Sequence, residues 1–325
     1  MNNHQTTHLP EFNDLHIVVI GDIMIDRYIS GTVRRISPEA PVPVVDMDSI
    51  ENRLGGAANV AMNLLALGAK VTLISITGDD DEGENFIHLC AAQGQLNHKI
   101  LRIPGRKTTI KSRIMAGNQH LLRIDSEDRT ELTKQSYDRI FHFFSGLTET
   151  NKIDGLILQD YNKGLLSDYL IHRLIEFCFT KKIATFVDPK EKNFFSYTGC
   201  TIFKPNKKEV QSATANFTND YKTIGEKLQK QLQCDTVIIT LGSMGIYIYR
   251  DNNGHLYPTA PRVVADVCGA GDSVISIVAL CYLKKMNLQD IAKIANIAGG
   301  QVCEIPGVGL VNRDKVLKEL KLFWE

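Results

Sequence analysis

Residues Val264–Val274 read VADVCGAGDSV, and the ten residues from Val274 read VISIVALCYL. Two glycines enclose an alanine, an aspartate follows, and an almost wholly apolar helical pattern takes over. A helix start leaves several backbone N–H groups without partners and carries the positive end of the helix dipole. Glycines let the preceding chain fold tightly enough for successive N–H groups to converge on one anion. Gly269, Ala270 and Gly271 therefore outline a phosphate cradle. Asp272 stands just inside it. A capping aspartate is the plain alternative, since Asp is common in first turns. The apolar helix tips the balance: it does not suit a surface, and with Asp266 six residues upstream the turn reads as lying deep, at the end of a sheet. A buried carboxylate beside a bound phosphate suits a general base that takes a proton from an attacking hydroxyl. The N–H groups would then stabilise charge growing on the phosphoryl group in transfer.

The rest of the chain supplies that sheet. Short apolar runs recur as HIVVIGD from His16, VTLISITG from Val71, DGLILQD from Asp154, IATFVDP from Ile183 and TVIITLG from Thr236. Continuous β-branched runs of this length suit strands buried on both faces of a parallel sheet. Helical patterns lie between them at 57–67, 168–181, 221–233, 273–285, 288–303 and 313–322. The alternation predicts an α/β fold with crossover helices. Two stretches interrupt it. Residues 23–50 contain SPEAPVPVV, whose prolines favour extended chain. Residues 107–125, KTTIKSRIMAGNQHLLRID, read as two strands around an Ala-Gly-Asn turn. Ile110, Ser112 and Ile114 alternate with Lys111, Arg113 and Met115, giving one mostly apolar and one basic face. The expectation is a small β flap on the main sheet; a pair of surface loops is the alternative.

Other candidates sit where strands end, the place where open α/β sheets collect ligands. Gly55, Gly56 and Asn59, in RLGGAANVA, permit close approach of a ligand, and the Asn59 amide can both donate to and accept from sugar hydroxyls; tight helix packing explains the small residues equally well. Asp22 and Asp26 follow the first strand and could accept from vicinal hydroxyls or cap the surface. In Lys204–Glu209, KPNKKE, Asn206 reads as an N-cap with Glu209 as its partner, with a nucleotide phosphate or Mg²⁺ nearby as the functional reading. Thr240, Gly242 and Gly245 form a plain glycine turn or the floor of a nucleotide site. Asp160 with Lys163, and Asp188 with Lys190, each bring a carboxylate and a lysine to the same edge.

The chain has 325 residues with 37 basic and 37 acidic side chains. Zero formal charge gives no reason to expect nucleic acid or a membrane surface as partner. Seven scattered cysteines without a C-x-x-C pair read as reduced thiols. No secretory signal or bilayer-length apolar segment is visible, so the expectation is a soluble cytoplasmic protein. Residues 1–13 read as a disordered lead-in and 14–325 as one domain. There is no P-loop, no dinucleotide fingerprint after the first strand and no protein-kinase catalytic loop.

From about residue 14 onward the chain resembles the ribokinase-like (PfkB) carbohydrate kinases. The two segments that carry the resemblance are GGAANVAMNLLALGA at Gly55–Ala69 and DVCGAGDSV at Asp266–Val274. GDIMIDRYISGTVRRISPEAPVPVVD, TTIKSRIMAGNQHLLRID and LQDYNKG are similar to the heptose 7-phosphate kinases of ADP-heptose synthesis within that family. The resemblance implies a ribokinase-like fold and transfer of the ATP γ-phosphoryl group to O1 of D-glycero-D-manno-heptose 7-phosphate. It implies Asp272 as base, with Gly269, Ala270 and Gly271 as anion hole. Asp22, Asp26, Gly55, Gly56 and Asn59 would hold the sugar. Asn206, Lys207, Lys208 and Glu209 would serve ATP, with Glu209 supporting Mg²⁺ through water. Thr240, Gly242 and Gly245 would border the nucleotide, and Asn296 would lie near adenine. A substrate that already carries a phosphate needs a cationic pocket. Arg34, Arg35, Lys111, Arg113, Lys163 and Lys190 are the cations available, and Lys163 with one flap or loop arginine is the expected pair. Asp160 joins the substrate-binding set.

Three features depart from the family pattern. Cys268 stands where threonine is usual, which leaves a monovalent-cation (K⁺) site open to question. Asn162 replaces a common glycine, though Asn tolerates positive φ. No H-x-G-H motif of a nucleotidyltransferase partner is present, so the expectation is the kinase alone. A homodimer through the flap is also expected. Another PfkB-type kinase, for ribose or a fructose phosphate, and a non-catalytic binding protein of the same fold are the alternatives.

Overall fold

A computed structural model describes residues 9–117, 119–214 and 220–322. The first apolar run forms β1 (His16–Gly21), followed by β2 (Ile23–Ile36) and β3 (Pro43–Gly56). Then come α1 (Ala57–Ala66), β4 (Lys70–Gly78), α2 (Asp81–Ala91) and β5 (Asn97–Ile103). The second flap segment gives β6 (Ile110–Ala116) and β7 (Gln119–Ser126), then α3 (Lys134–Thr150), β8 (Gly155–Gln159) and α4 (Asp168–Lys181). β9 (Ala184–Asp188), β10 (Ile202–Phe203), α5 (Lys207–Ala213), α6 (Tyr221–Leu232) and β11 (Thr236–Thr240) follow. The chain continues with β12 (Ile246–Arg250), β13 (Asn253–Tyr257), α7 (Ala270–Leu283), α8 (Leu288–Cys303) and α9 (Arg313–Leu322).

Nine strands form the main sheet in the order β13-β12-β11-β10-β9-β8-β1-β4-β5. All neighbours from β5 to β11 pair in parallel; β12 runs against β11, and β13 runs against β12 and so along the rest. Side chains alternate across a strand, so β1 feeds two cores. Ile17 and Val19 pack with α1, α7 and α8, whereas Val18 and Ile20 pack with α3 and α4. α7 is buried from Asp272 to Cys281, which accounts for its apolar sequence.

The flap is a separate four-stranded sheet, β3-β2-β6-β7, in which β2 runs antiparallel to β3 and parallel to β6. Residues in register share a face. Asp26 lies opposite Arg53 and Lys111, and Tyr28 lies opposite Glu51 and Arg113. The other face carries Ile29, aligned with Ile50 and Ile114, and Leu122. Thus the alternation in the sequence becomes a polar face and an apolar face. β3 extends past residue 50 into α1, because Gly56 takes φ 63° and turns the chain straight into the helix. A Cβ there would lie 2.4 Å from the Asp22 carbonyl oxygen.

Several elements were not anticipated. α2, α3, β5 and β13 occupy stretches the sequence left unassigned. α3 forms around Tyr137, Ile140 and Phe144, a three-residue stripe in an otherwise polar segment. The disordered lead-in is corrected at residues 9–13. Leu9 and Phe12 are fully buried, and Arg313 donates to the carbonyls of Leu9 and Pro10. Residues 1–8, and Asn118 of the Ala-Gly-Asn turn, lie outside the described residues. Among the described residues no helix is long and apolar enough to cross a membrane.

Candidate active site

Parallel strands deliver their C-terminal ends to one edge of the sheet. Asp22 follows β1, Gln159 ends β8, Asp188 ends β9, Lys204 follows β10 and Thr240 ends β11. From β1 to β11 this edge is four steps of roughly 4.8 Å each, along the side where open α/β sheets form their ligand groove.

Asp272 lies at the middle of the groove, in the first turn of α7, and is 6% exposed. Its Oδ2 accepts from Asn59 Nδ2 at 2.7 Å. Its Oδ1 accepts from the Tyr161 hydroxyl at 2.7 Å and from Gln159 Nε2 at 3.2 Å. A carboxylate has about four lone-pair positions, so the three donors leave one, on Oδ2. Burial pushes the Asp272 carboxyl up to about 6, against the hydrogen bonds from Asn59 and Tyr161. That value suits a base working near neutral pH.

The turn before Asp272 is built as its glycines suggest. Gly269 is the N-cap of α7 with φ 80°. The helical ladder begins with the Ser273 amide donating to the Gly269 carbonyl at 2.9 Å. The amides of Gly271 and Asp272 precede that ladder, as first-turn donors do. Asp266 pins the turn, accepting from the amides of Cys268 at 3.0 Å and Gly307 at 3.2 Å. Beside Gly271 lies a buried ion pair, Lys204 Nζ with Asp188 Oδ2 at 3.0 Å. Gln159 Nε2 bridges this pair to Asp272, donating to Asp188 Oδ2 at 3.1 Å.

The flap reaches the same turn. Arg113 pairs with Asp26, and its other nitrogen lies 3.7 Å from Cys268 Sγ. Arg53 and Arg113 both stack on the Tyr28 ring, at 4.6 and 5.2 Å from its centroid. The Tyr28 hydroxyl accepts from the Val308 amide at 3.1 Å. Tyr28 and Arg113 therefore tie the flap to the loops around α7.

The other candidates divide into those the fold gathers and those it does not. Asn206 and Glu209 form the expected capping box. Glu209 is 2% exposed and also pairs with Lys190, while Lys207 and Lys208 follow Asn206 in the first turn of α5. Gly242 begins a short 3₁₀ turn after β11, and Gly245 takes φ 96° against the Tyr257 carbonyl. The Asn296 amide donates to the carbonyls of Tyr257 and Pro258. It is one turn of α8 before Gly299, which packs on Val274 at the start of α7. Gly55 lies against Asp26: a Cβ there would come within 2.1 Å of Asp26 Oδ2.

Four placements bear on the sequence reading. The Asp22 carboxylate accepts from the amides of Tyr161, Lys163 and Leu165 and holds their loop in place. Asp160 is 1% exposed and accepts from the Tyr197 hydroxyl and the Asn162 amide. Both carboxylates thus help satisfy the N–H groups of a loop leaving a buried strand. Lys190 pairs with Glu209, and its ammonium lies 5.7 Å from the Tyr161 ring centroid. Arg35 is exposed near the far end of β2, nine residues beyond Asp26 and roughly 30 Å along the strand. The Asn162 expectation holds, with φ 55°.

Sequence reasoning passed over Tyr161 and Gln159 as partners of Asp272. The polar Gln159 ending the apolar run GLIL was the available signal. Tyr161→Phe removes a donor that favours the ionised Asp272, so the acid limb of the kcat/KM profile should move up by about half a pH unit to one pH unit. Substrate phosphates titrate in the same range in both enzymes, so the difference between the profiles is the readout. Superimposable limbs would exclude Asp272 as the titrating base.

Comparison with known proteins agrees with this geometry. The model of the pfkB family carbohydrate kinases matches residues 14–315. The Bifunctional protein HldE of Helicobacter hepaticus is 36% identical over 305 residues, 93% of this chain and 63% of that protein. HldE of Sulfurimonas denitrificans is 38% identical over 289 residues, 88% of this chain and 60% of that protein. The chain thus spans 60–63% of the length of these two relatives. Phosphofructokinase-2 from Escherichia coli, solved in complex with potassium, superposes with a TM-score of 0.78 at 17% identity, covering 96% of this chain and 99% of that one. That likeness is one of fold. With the glycine turn, the buried carboxylate and the flap arranged as described, the chain is a carbohydrate kinase of the pfkB family.

Proposed function

We propose that this kinase transfers the γ-phosphoryl group of ATP to O1 of D-glycero-D-manno-heptose 7-phosphate, giving the 1,7-bisphosphate, a precursor of ADP-heptose and of the lipopolysaccharide core. The observation that carries a phosphoryl transfer is the buried Asp272 with one open lone pair beside the first-turn amides of α7. The substrate rests on the resemblance to the heptose 7-phosphate kinases and on identity to HldE across most of this chain. Asp272 takes the O1 proton as the oxygen attacks phosphorus. The first-turn amides of Gly271 and Asp272 stabilise the transferred group, while the Ala270 amide donates to the Val267 carbonyl. Asn59 and Tyr161 aim the base, and Asp26 with Gly55 and Gly56 faces the sugar. ATP lies toward β10 and β11, over Asn206–Glu209 and the 240–245 turn. Glu209 would support Mg²⁺ through water, which suits the ion's habit of keeping waters and few protein ligands, and the ion would neutralise charge on the ATP phosphates. The Tyr28–Arg113 contacts close the flap and exclude water. ATP as donor puts the activity in the cytoplasm.

A panel of heptose 7-phosphate, fructose 6-phosphate and ribose, with ADP release as readout, tests the reading. Heptose 7-phosphate should be preferred by at least about a hundredfold in kcat/KM, near 3 kcal/mol. Comparable turnover of either other sugar overturns it.

We also infer a homodimer through the apolar flap face. Ile50, Leu122 and Ile124 are each more than half exposed, and a face of this kind marks an interaction surface. Its strands come from one sheet, so a second copy can lay the same face against it. Light scattering should give twice the 36.3 kDa chain mass, and Leu122→Asp with Ile124→Asp should give the monomer. A monomeric parent at micromolar concentration overturns the pairing.

A further inference from the structure

The structure assigns Lys111 as the residue that holds the phosphate the sugar already carries, a phosphate monoester at the end remote from the reacting hydroxyl. This rests on the sugar-phosphate reading above and adds the residue that sets the preference. Most of the cations near the groove already have a carboxylate partner. Arg113 is paired with Asp26, Lys163 with Glu127 and Lys190 with Glu209. Arg34 and Arg35 are exposed toward the far end of β2. Lys111 is half-buried, and among the described residues its ammonium has neither ion pair nor hydrogen bond. Its two cross-strand neighbours are Asp26 and Asp125. Asp26 is committed to Arg113, and both oxygens of Asp125 accept from Arg123, at 2.9 and 3.1 Å.

A half-buried ammonium with no counter-charge in contact is costly unless an anion arrives. Burial and the neighbouring Lys163 both push the Lys111 ammonium below its usual range. The two lysines thus lie close without sharing a carboxylate, a setting that favours a group carrying nearly two negative charges. Its place along the groove is right for the remote end. Asp272 touches Asn59, α1 carries Asn59 next to Gly55, and Gly55 abuts Asp26. Lys111 is one strand further on, roughly 4.8 Å beyond Asp26. A sugar with its O1 at Asp272 and its chain along Asp26 brings its phosphate to Lys111.

The test compares heptose 7-phosphate with unphosphorylated heptose in the parent, Lys111→Gln and Lys111→Arg. The preference for the phosphorylated sugar, as a ratio of kcat/KM values, should fall about 10- to 100-fold in Lys111→Gln, chiefly through KM. Lys111→Arg should restore most of it. The melting temperature of Lys111→Gln should match or exceed the parent's, since no protein partner is lost. An unchanged ratio, or an equal loss with both sugars, overturns the assignment and leaves the kinase reading standing. A parent that phosphorylates no phosphosugar overturns the substrate reading, and the assignment with it.

Discussion

Asp272→Asn should lower kcat by a factor on the order of a hundred or more, the range of a positioned general base, with ATP affinity by calorimetry within about threefold of the parent. Asparagine keeps the volume and can still accept from Tyr161, but it cannot take a proton from the sugar hydroxyl. The same change should not destabilise the fold at pH 8. A carboxyl whose folded pKa is raised from 3.8 to about 6 contributes stability that is fully present below pH 4 and lost as pH rises through 6. A rise of this size in the folded state corresponds to about 3 kcal/mol at alkaline pH. The parent therefore carries a stability cost at working pH that the variant lacks. Activity and stability should move in opposite directions, as expected where a site is arranged for chemistry. Parent-like turnover in the variant would remove Asp272 as the base.

Lys204→Met should be among the most destabilising single changes in the groove. Lys204 is 2% exposed and its ammonium lies 3.0 Å from Asp188. Taking away one member of a buried pair leaves the other charge uncompensated, at a cost of about 3–5 kcal/mol. For a chain of this size, a fall in melting temperature on the order of 5 °C follows. The Lys204 charge also holds the Asp272 carboxyl down, so the acid limb of the activity profile should move up in whatever fraction folds. An unchanged melting temperature would mean that Asp188 is neutralised by other means, Gln159 alone being too weak a partner.

The strands and helices that build the groove were legible because each is a local pattern. HIVVIG, GLILQ and ATFVD are continuous apolar runs, and five residues buried on both faces admit few other readings. The capping box at Asn206 and Glu209 and the left-handed Asn162 were legible for the same reason, being decided within a few residues. α2 was not, since only Gly83, Phe86 and Cys90 of its eleven residues are buried. The roles of the acidic residues were the least legible. Asp22, Asp160 and Asp272 all follow or precede apolar runs and look alike in sequence. Two of them accept from the N–H groups of a loop, and one lies in the first turn of α7 beside the glycine turn. The difference lies in which N–H groups converge on each, and those come from loops after other strands.

The amino-acid sequence by itself determined the glycine turn at Gly269–Gly271, the buried helix behind it and the parallel α/β order, because glycine freedom and apolar periodicity act over short stretches of chain. Only the tertiary structure decided which groups meet at Asp272 and which flap cation has no carboxylate partner among the described residues. Asn59 and Tyr161 reach Asp272 from 213 and 111 residues away, and among the described residues Lys111 is left unpaired by strand register in the flap. Such pairings depend on the order of strands across a sheet, which brings distant segments within hydrogen-bond range and which no local pattern encodes.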